Sequence, residues 1–128
     1  MAVSGDKDYA DKPIGHCRLK ERMLTEIITV LATSTLAPGV SEEEFVEASD
    51  QFQSDFVSKQ PGVLRRELLR KESGGYIEII QFRSAEDLAD VLEKEKTSEA
   101  CHAYLKKILM DDTNDSGLQT CASLATYP

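Results

Sequence analysis

His102 has the side chain in this chain best suited to proton transfer. It lies beside the apolar stripe of a predicted helix, close to Leu105 and Leu109. An imidazole has a pKa near neutrality, so it can act as a general base when it faces a cleft. The sequence therefore offers His102 as a candidate catalytic base. The alternative is a half-exposed helix histidine without a function.

Glu78 is the second candidate, because its carboxylate alternates with apolar residues on the predicted strand Tyr76–Phe82. A carboxylate on an apolar face requires either a partner or a function. If Glu78 has a function, we expect its carboxylate to contact a substrate. A partner would be Arg65 or Arg66 across the hairpin, in a structural ion pair at the sheet.

Aromatic side chains could line a pocket beside these groups. Phe45, Phe52 and Phe56 recur at helical spacing and form one stripe, which is more often core than pocket. Tyr76 borders the predicted cleft or a subunit interface. Tyr104 follows an apolar stripe and could be a core aromatic with a satisfied hydroxyl. We take Phe52, Phe56, Tyr76, Glu78 and Tyr104 as candidate substrate-binding residues.

Several kinds of chemistry are disfavoured. The three cysteines are widely spaced, which predicts neither a disulfide framework nor a zinc knuckle, and we expect no metal site. Gly74 and Gly75 indicate a hairpin turn and not a phosphate-binding loop. The net charge of -8 argues against nucleic acid or an anionic membrane as a partner. Without a signal sequence or a membrane-length apolar run, we expect a cytoplasmic protein.

The sequence pattern predicts the order of the helices and strands that position these residues. Ser41 and Ser84 are N-cap residues for two helices, and Ser41 with Glu44 has the spacing of a capping box. The second helix bends near residues 93–96 and continues to about Leu109. The predicted strands are Met23–Ser34, Val63–Arg70, Tyr76–Phe82 and Leu118–Tyr127. The order β-α-β-β-α-β predicts an α+β, ferredoxin-like fold with an antiparallel sheet.

The chain divides into a short extension and one domain. Residues 1–22 are polar and lack a sustained period, which indicates a flexible N-terminal extension. Residues 23–128 form the single ferredoxin-like domain. Its strands carry apolar residues on both faces, and one helical layer covers only one of them. We therefore expect a homodimer that packs sheet to sheet.

The chain from Met23 to Tyr127 resembles the antibiotic-biosynthesis-monooxygenase-like family of dimeric α+β barrels. The similar segments are Gln60–Gly62, Val63–Leu69, Gly75–Phe82, Ser84–Leu88 and Glu99–Leu105. The resemblance implies a homodimer with facing sheets, outer helices and a ligand cleft between sheet and helices in each protomer.

The resemblance also implies candidate activities. The family includes cofactor-free oxygenases of polyketide phenols and haem-degrading enzymes. The haem branch uses an asparagine, a tryptophan and a histidine, of which only His102 has a counterpart here, so we expect no haem breakdown and no cofactor. The implied function is a cofactor-independent oxygenase of a hydrophobic or phenolic small molecule, with His102 as base and Tyr76 and Tyr104 at the pocket. The alternative is a non-catalytic dimeric barrel that binds a small molecule or serves a stress-related role.

Overall fold

The computed structural model describes residues 26–110 and 117–128. The predicted extension, residues 1–22, and the predicted beginning of the first strand lie outside these ranges. The strands are β1 (Ile28–Leu36), β2 (Val63–Arg70), β3 (Tyr76–Phe82), β4 (Ile108–Met110) and β5 (Leu118–Ala122). The helices are α1 (Glu42–Asp55), α2 (Ala85–Glu95) and α3 (Glu99–Leu105), with a short 3-10 helix at Val57–Lys59.

The strands form one antiparallel sheet in which β1 is central. β3 lies along one edge of β1, and β2 lies outside β3. The other edge of β1 is shared, because β4 pairs with Ser34–Leu36 and β5 pairs with Ile28–Ala32. This arrangement confirms the predicted α+β, ferredoxin-like fold.

Local capping signals explain where the helices begin. Ser41 Oγ accepts a hydrogen bond from the Glu44 N–H at 3.1 Å, and the Ser41 N–H donates to Glu44 Oε1 at 3.0 Å. This is the predicted capping box, and it satisfies two amide groups that the first turn leaves without helical partners. Ser84 caps α2 in a similar way through the Asp87 N–H. The sequence therefore fixes the start of both helices correctly.

The predicted end of the last helix was wrong. α3 ends at Leu105, and Ile108–Met110 forms β4 against the end of β1. The Lys107 carbonyl accepts a hydrogen bond from the Ala37 N–H at 2.9 Å, which ties this turn to the sheet. A short apolar run is compatible with either helix or strand, so pairing with β1 decides its conformation. The closing strand is also shorter than predicted and ends at Ala122.

The β2–β3 hairpin fixes which side chains meet. Gly74 and Gly75 have φ values of 101° and 88°, a backbone conformation that favours glycine. The resulting register pairs Leu68 with Glu78 and Arg66 with Ile80. Arg66 and Glu78 are therefore diagonal neighbours on the same face, close enough for long side chains to interact.

The two faces of the sheet differ in their cover. The core lies between the helices and one face, where Phe45, Phe82 and Tyr104 are fully buried. The opposite face carries partly buried apolar side chains that no helix of the described ranges covers: Leu31, Leu69, Ile77 and Ile79. The sequence predicted this apolar second face correctly. Within the same ranges, no helix is long and apolar enough to cross a membrane.

Candidate active site in the cleft between sheet and helices

A cavity of about 250 Å³ lies between the helix-facing side of the sheet and the helical layer. Its walls are mainly apolar. The sheet contributes Val30, Ile80 and Phe82, and α2 contributes Leu88 and Leu92. An apolar cavity of roughly 150 Å³ can hold benzene, whereas pockets for drug-sized ligands begin at roughly 300 Å³. The volume therefore suits a ligand of one or two aromatic rings.

A few polar groups interrupt these apolar walls. Glu78 comes from β3, Glu95 from the end of α2, Tyr104 from α3 and Thr120 from β5. An apolar cavity with a small number of convergent polar groups has the usual composition of a small-molecule site. The two carboxyl groups are the candidates for acid–base chemistry.

Glu78 is held in a buried ion pair. Its Oε2 accepts a hydrogen bond from Arg66 Nε, and the two side chains are 11% and 7% exposed. The guanidinium group also donates to Ser49 Oγ at 2.9 Å, which anchors it beneath α1. The structure thus confirms the predicted structural partner of Glu78 and identifies it as Arg66. Arg65 pairs with Glu67 instead, at the surface.

Tyr104 completes this buried network. Its hydroxyl lies 3.2 Å from Glu78 Oε1 and donates a hydrogen bond to it. The Arg66 guanidinium lies 5.0 Å from the ring centroid of Phe52 and 5.1 Å from that of Tyr104, within cation–π range of both rings. Burial and the neighbouring Glu78 charge raise the pKa of the Tyr104 hydroxyl. Tyr104 therefore stays protonated near neutral pH and acts as a hydrogen-bond donor.

Glu95 has different surroundings from Glu78. Burial against the apolar wall, with a smaller contribution from the Glu78 charge, raises the pKa of Glu95 to about 7. Arg66 opposes this rise but does not cancel it. In the described part of the chain no cation is hydrogen-bonded to the Glu95 carboxyl. A carboxyl with a pKa near 7 can both accept and return a proton at neutral pH, as a general base must.

Cys101 also lines the cavity, but it does not supply a nucleophile. Burial raises the pKa of its thiol to about 12, and the charges of Glu95 and Glu78 add to the effect. Because the thiolate is the reactive form, Cys101 serves as a small apolar wall residue.

Comparison with known proteins shows the fold. No protein-family model matches the chain, and no curated protein is similar to it in sequence. SnoaB, a cofactor-independent oxygenase from Streptomyces nogalater, superimposes with a TM-score of 0.63 at 17% identity, covering 80% of this chain and 98% of SnoaB. The chain has the fold of antibiotic biosynthesis monooxygenase-like proteins.

Two further solved structures support the same conclusion. Both were described as candidate antibiotic biosynthesis monooxygenases. The protein from Caulobacter crescentus has a TM-score of 0.57 at 16% identity and covers 84% of this chain and 99% of its own. The protein from Bordetella bronchiseptica has a TM-score of 0.59 at 14% identity, and the match covers 80% of this chain and 99% of the Bordetella protein. The family resemblance read from the sequence is confirmed for the fold, and identities this low carry no residue roles.

The cleft brings together three of the residues that the sequence singled out. Phe52, Glu78 and Tyr104 all line the cavity. Phe56 is buried behind Phe52, with the two rings stacked 5.6 Å apart, and is not among the lining residues of the described chain.

Tyr76 and His102 lie apart from the described cavity wall. Tyr76 packs its ring against Phe45, and its hydroxyl donates a hydrogen bond to Glu42 Oε1 at 2.8 Å. His102 is exposed on α3 and is not among the residues that line the cavity. The predicted catalytic role of His102 therefore has no described cavity contact to support it.

Glu95 is the residue that the sequence interpretation missed. The predicted bend near residues 93–96 is confirmed, because α2 ends at Glu95 and α3 begins at Glu99. The charged stretch nevertheless concealed that Glu95 lines the cavity. The available signal was helical periodicity, because Leu88, Val91, Leu92 and Glu95 are spaced to share one face. Lys94 and Lys96 flank this position but pair with Asp90 and Glu93.

Proposed function

We propose that this protein is a cofactor-independent oxygenase of a hydrophobic, phenolic small molecule, which it binds in the cleft between sheet and helices. The observation that carries the proposal is the Glu95 carboxyl, whose pKa lies near 7 in the wall of an apolar cavity. The shared fold with SnoaB, a cofactor-independent oxygenase, supports this class of reaction. We assign the general base to Glu95, since His102 is exposed.

The proposed chemistry begins with proton transfer. Ionised Glu95 accepts the hydroxyl proton of the phenol, and the resulting anion is electron-rich enough to react with dioxygen at the ring carbon opposite the oxygen. Loss of water from the peroxide then gives a quinone. For 1-naphthol the balance is one naphthol and one dioxygen to one 1,4-naphthoquinone and one water. One dioxygen atom enters the product and the other leaves as water.

The Arg66–Glu78–Tyr104 network supports this reaction without exchanging protons. Arg66 neutralises Glu78, and Tyr104 donates to the same carboxylate. These bonds hold the polar groups of the cavity in one arrangement. The charge of Glu78 also raises the pKa of Glu95, which brings the base into the useful range.

We also propose that the protein is a homodimer that packs sheet to sheet. The argument rests on the apolar face formed by Leu31, Leu69, Ile77 and Ile79, which no described helix covers. A stable contact of this kind buries more than about 1,000 Å² in total. This face lies opposite the cleft, so dimerisation leaves the cavity walls described above unchanged.

A non-catalytic binding protein is the second candidate. Arg66, Glu78 and Tyr104 satisfy one another, and the aromatic stack of Phe45, Phe52 and Tyr104 closes part of the space between the layers. Such a cleft could bind an apolar molecule without converting it.

Incubation with 1-naphthol under isotopically labelled dioxygen distinguishes the two candidates. The oxygenase forms 1,4-naphthoquinone with one labelled oxygen atom, and Glu95→Gln forms it far more slowly. Glu93→Gln is the matched control, because Glu93 is exposed and pairs with Lys96. If phenols of the size of 1-naphthol bind but none of them is oxidised with uptake of oxygen, the result would support the binding protein and refute the oxygenase proposal.

A further inference from the structure

We infer that the cleft selects an uncharged hydroxylated aromatic of one or two rings, and that Glu95 makes this selection by accepting a hydrogen bond from the ligand hydroxyl. This inference deepens the proposed function and rests on the same site. It goes beyond the oxygenase activity because it specifies the charge and the size of the ligand.

The size limit follows from the cavity. Its volume of about 250 Å³ is bounded by apolar side chains from both layers. Phe82 and Val91 are almost completely buried beside or behind this wall, so the inner end of the space cannot grow without disturbing the core. A third fused ring would exceed this volume and extend past the half-exposed Leu92 and Leu105 of the cavity wall, where it would be less buried. The apolar walls also offer no partners for further polar groups on the ligand.

The charge selection follows from how the ionic groups are paired. Arg66 is bound to Glu78 and also donates to Ser49. It therefore has no free face for a ligand carboxylate. Glu95 adds a second carboxyl group to the same cavity. Above pH 7 an anionic ligand would meet the ionised Glu95 carboxylate and lose its hydration, whereas a neutral hydroxyl would supply the donor that Glu95 lacks among the described residues.

The protonation state of Glu95 links binding to pH. The groups that face Glu95 are Glu78 on β3 and Arg66 on β2, with Cys101 and Tyr104 from α3 beside them. Burial and the Glu78 charge raise the pKa of Glu95 to about 7. A ligand hydroxyl stabilises the ionised carboxylate, so binding strengthens as pH rises through 7. An aromatic without a hydroxyl removes water from the carboxylate, so its binding weakens over the same range.

Three matched probes test this inference by calorimetry at about pH 6 and pH 8: 1-naphthol, naphthalene and 1-naphthoate. We expect 1-naphthol to bind about fivefold more tightly at the higher pH, the difference between a neutral and a charge-assisted hydrogen bond. Naphthalene should bind more weakly at the higher pH, and 1-naphthoate should not bind at pH 8, where Glu95 is ionised. Glu95→Gln should remove both pH dependences, and Glu93→Gln should keep them.

A second measurement does not depend on any variant. In carboxyl-carbon NMR of the unmodified protein, the Glu95 pKa should fall when 1-naphthol binds and rise when naphthalene binds. Tight binding of 1-naphthoate at pH 8 would overturn the inference. So would affinities for 1-naphthol and naphthalene that change equally with pH, or pH dependences that persist in Glu95→Gln.

The test separates this inference from the proposed function. If the affinities for 1-naphthol and naphthalene change with pH in opposite directions but no oxygen is taken up, the result would support the selection of a hydroxylated aromatic and refute the oxygenase. Oxygen uptake with an anionic or a three-ring substrate would support the oxygenase and refute the selection.

Discussion

Arg66 on β2 and Glu78 on β3 form an ion pair that is almost completely covered by α1 and α3. Within this pair each charge neutralises the other. Glu95 is then the carboxyl of the described cavity wall that has no hydrogen-bonded cation. A buried charge that loses its partner is costly, although replacing both partners by apolar side chains is often tolerated. The stability of the core and the acid–base behaviour of the cavity therefore depend on the same contact.

Arg66→Met should destabilise the protein by about 3–5 kcal/mol, because Glu78 would stay buried without its cation. The double variant Arg66→Met/Glu78→Leu should recover most of this loss. Arg65→Met is the matched control: Arg65 pairs with Glu67 at the surface, with the two side chains 47% and 44% exposed, and should cost less than about 1 kcal/mol. Urea unfolding measures all three. Equal losses for Arg66→Met and Arg65→Met would contradict the buried role of the pair.

Glu95 should lower stability as pH rises. Its folded pKa is about 7 and its ordinary value is 4.5, so the folded state binds the proton more tightly than the unfolded state. The free energy of unfolding should therefore fall as pH rises from about 4.5 to 7 and level off above that. The pKa difference corresponds to about 3 kcal/mol at full burial, and partial solvent exposure reduces the expected loss to about 1–2 kcal/mol.

Glu95→Gln should lack this fall and be more stable than the unmodified protein at about pH 8. Glu93→Gln should follow the unmodified protein at every pH. Denaturant unfolding between about pH 4.5 and pH 8 measures the free energy of unfolding of all three proteins. If this free energy changed with pH in Glu95→Gln as it does in the unmodified protein, the pKa of Glu95 would not be raised.

Ile79→Arg should dissociate the proposed dimer. Ile79 pairs with Leu31 on the sheet face opposite the helices, where a charge would be trapped between two apolar sheets. Val46→Arg is the control, since Val46 is 41% exposed on α1. Analytical ultracentrifugation should give a dimer for the unmodified protein and for Val46→Arg, and a monomer for Ile79→Arg. A stable monomer of the unmodified protein at micromolar concentration would refute the dimer.

Cys101 should resist thiol reagents. Its pKa of about 12 keeps the thiolate population very low near pH 8. In a variant with Cys17 and Cys121 replaced by serine, labelling should occur at the rate of global unfolding and become rapid in denaturant. Rapid labelling under native conditions would mean that the cavity wall is more open than the structure shows.

Local signals in the sequence predicted most of the fold. The limits of β2 and β3, both N-caps and the antiparallel order follow from periodicity, capping residues and the Gly74–Gly75 turn, all of which act over a few residues. The strand at Ile108–Met110 was missed because three apolar residues take their conformation from pairing with β1. That pairing depends on contacts distant in sequence, which local patterns do not record.

The candidate site was only partly predictable. Glu78 stood out because it is a carboxylate on an apolar strand, and Arg66 was already one of its two expected partners. Glu95 was concealed by the lysines and glutamate around it, although its helical phase matched Leu88 and Leu92. Its raised pKa arises from burial in the cavity wall and from the charge of Glu78 on β3. Both depend on tertiary packing.

The most direct test of the central claim is the pH profile of kcat/KM for oxygen uptake with 1-naphthol. We predict that kcat/KM rises through a pKa of about 7 in the unmodified protein. Loss of a general base typically costs about 10²–10⁴-fold, so Glu95→Gln should lose activity by this factor together with the pH dependence, whereas His102→Ala should retain both. A profile that is unchanged in Glu95→Gln, or lost in His102→Ala, would contradict the assignment of Glu95 as the base.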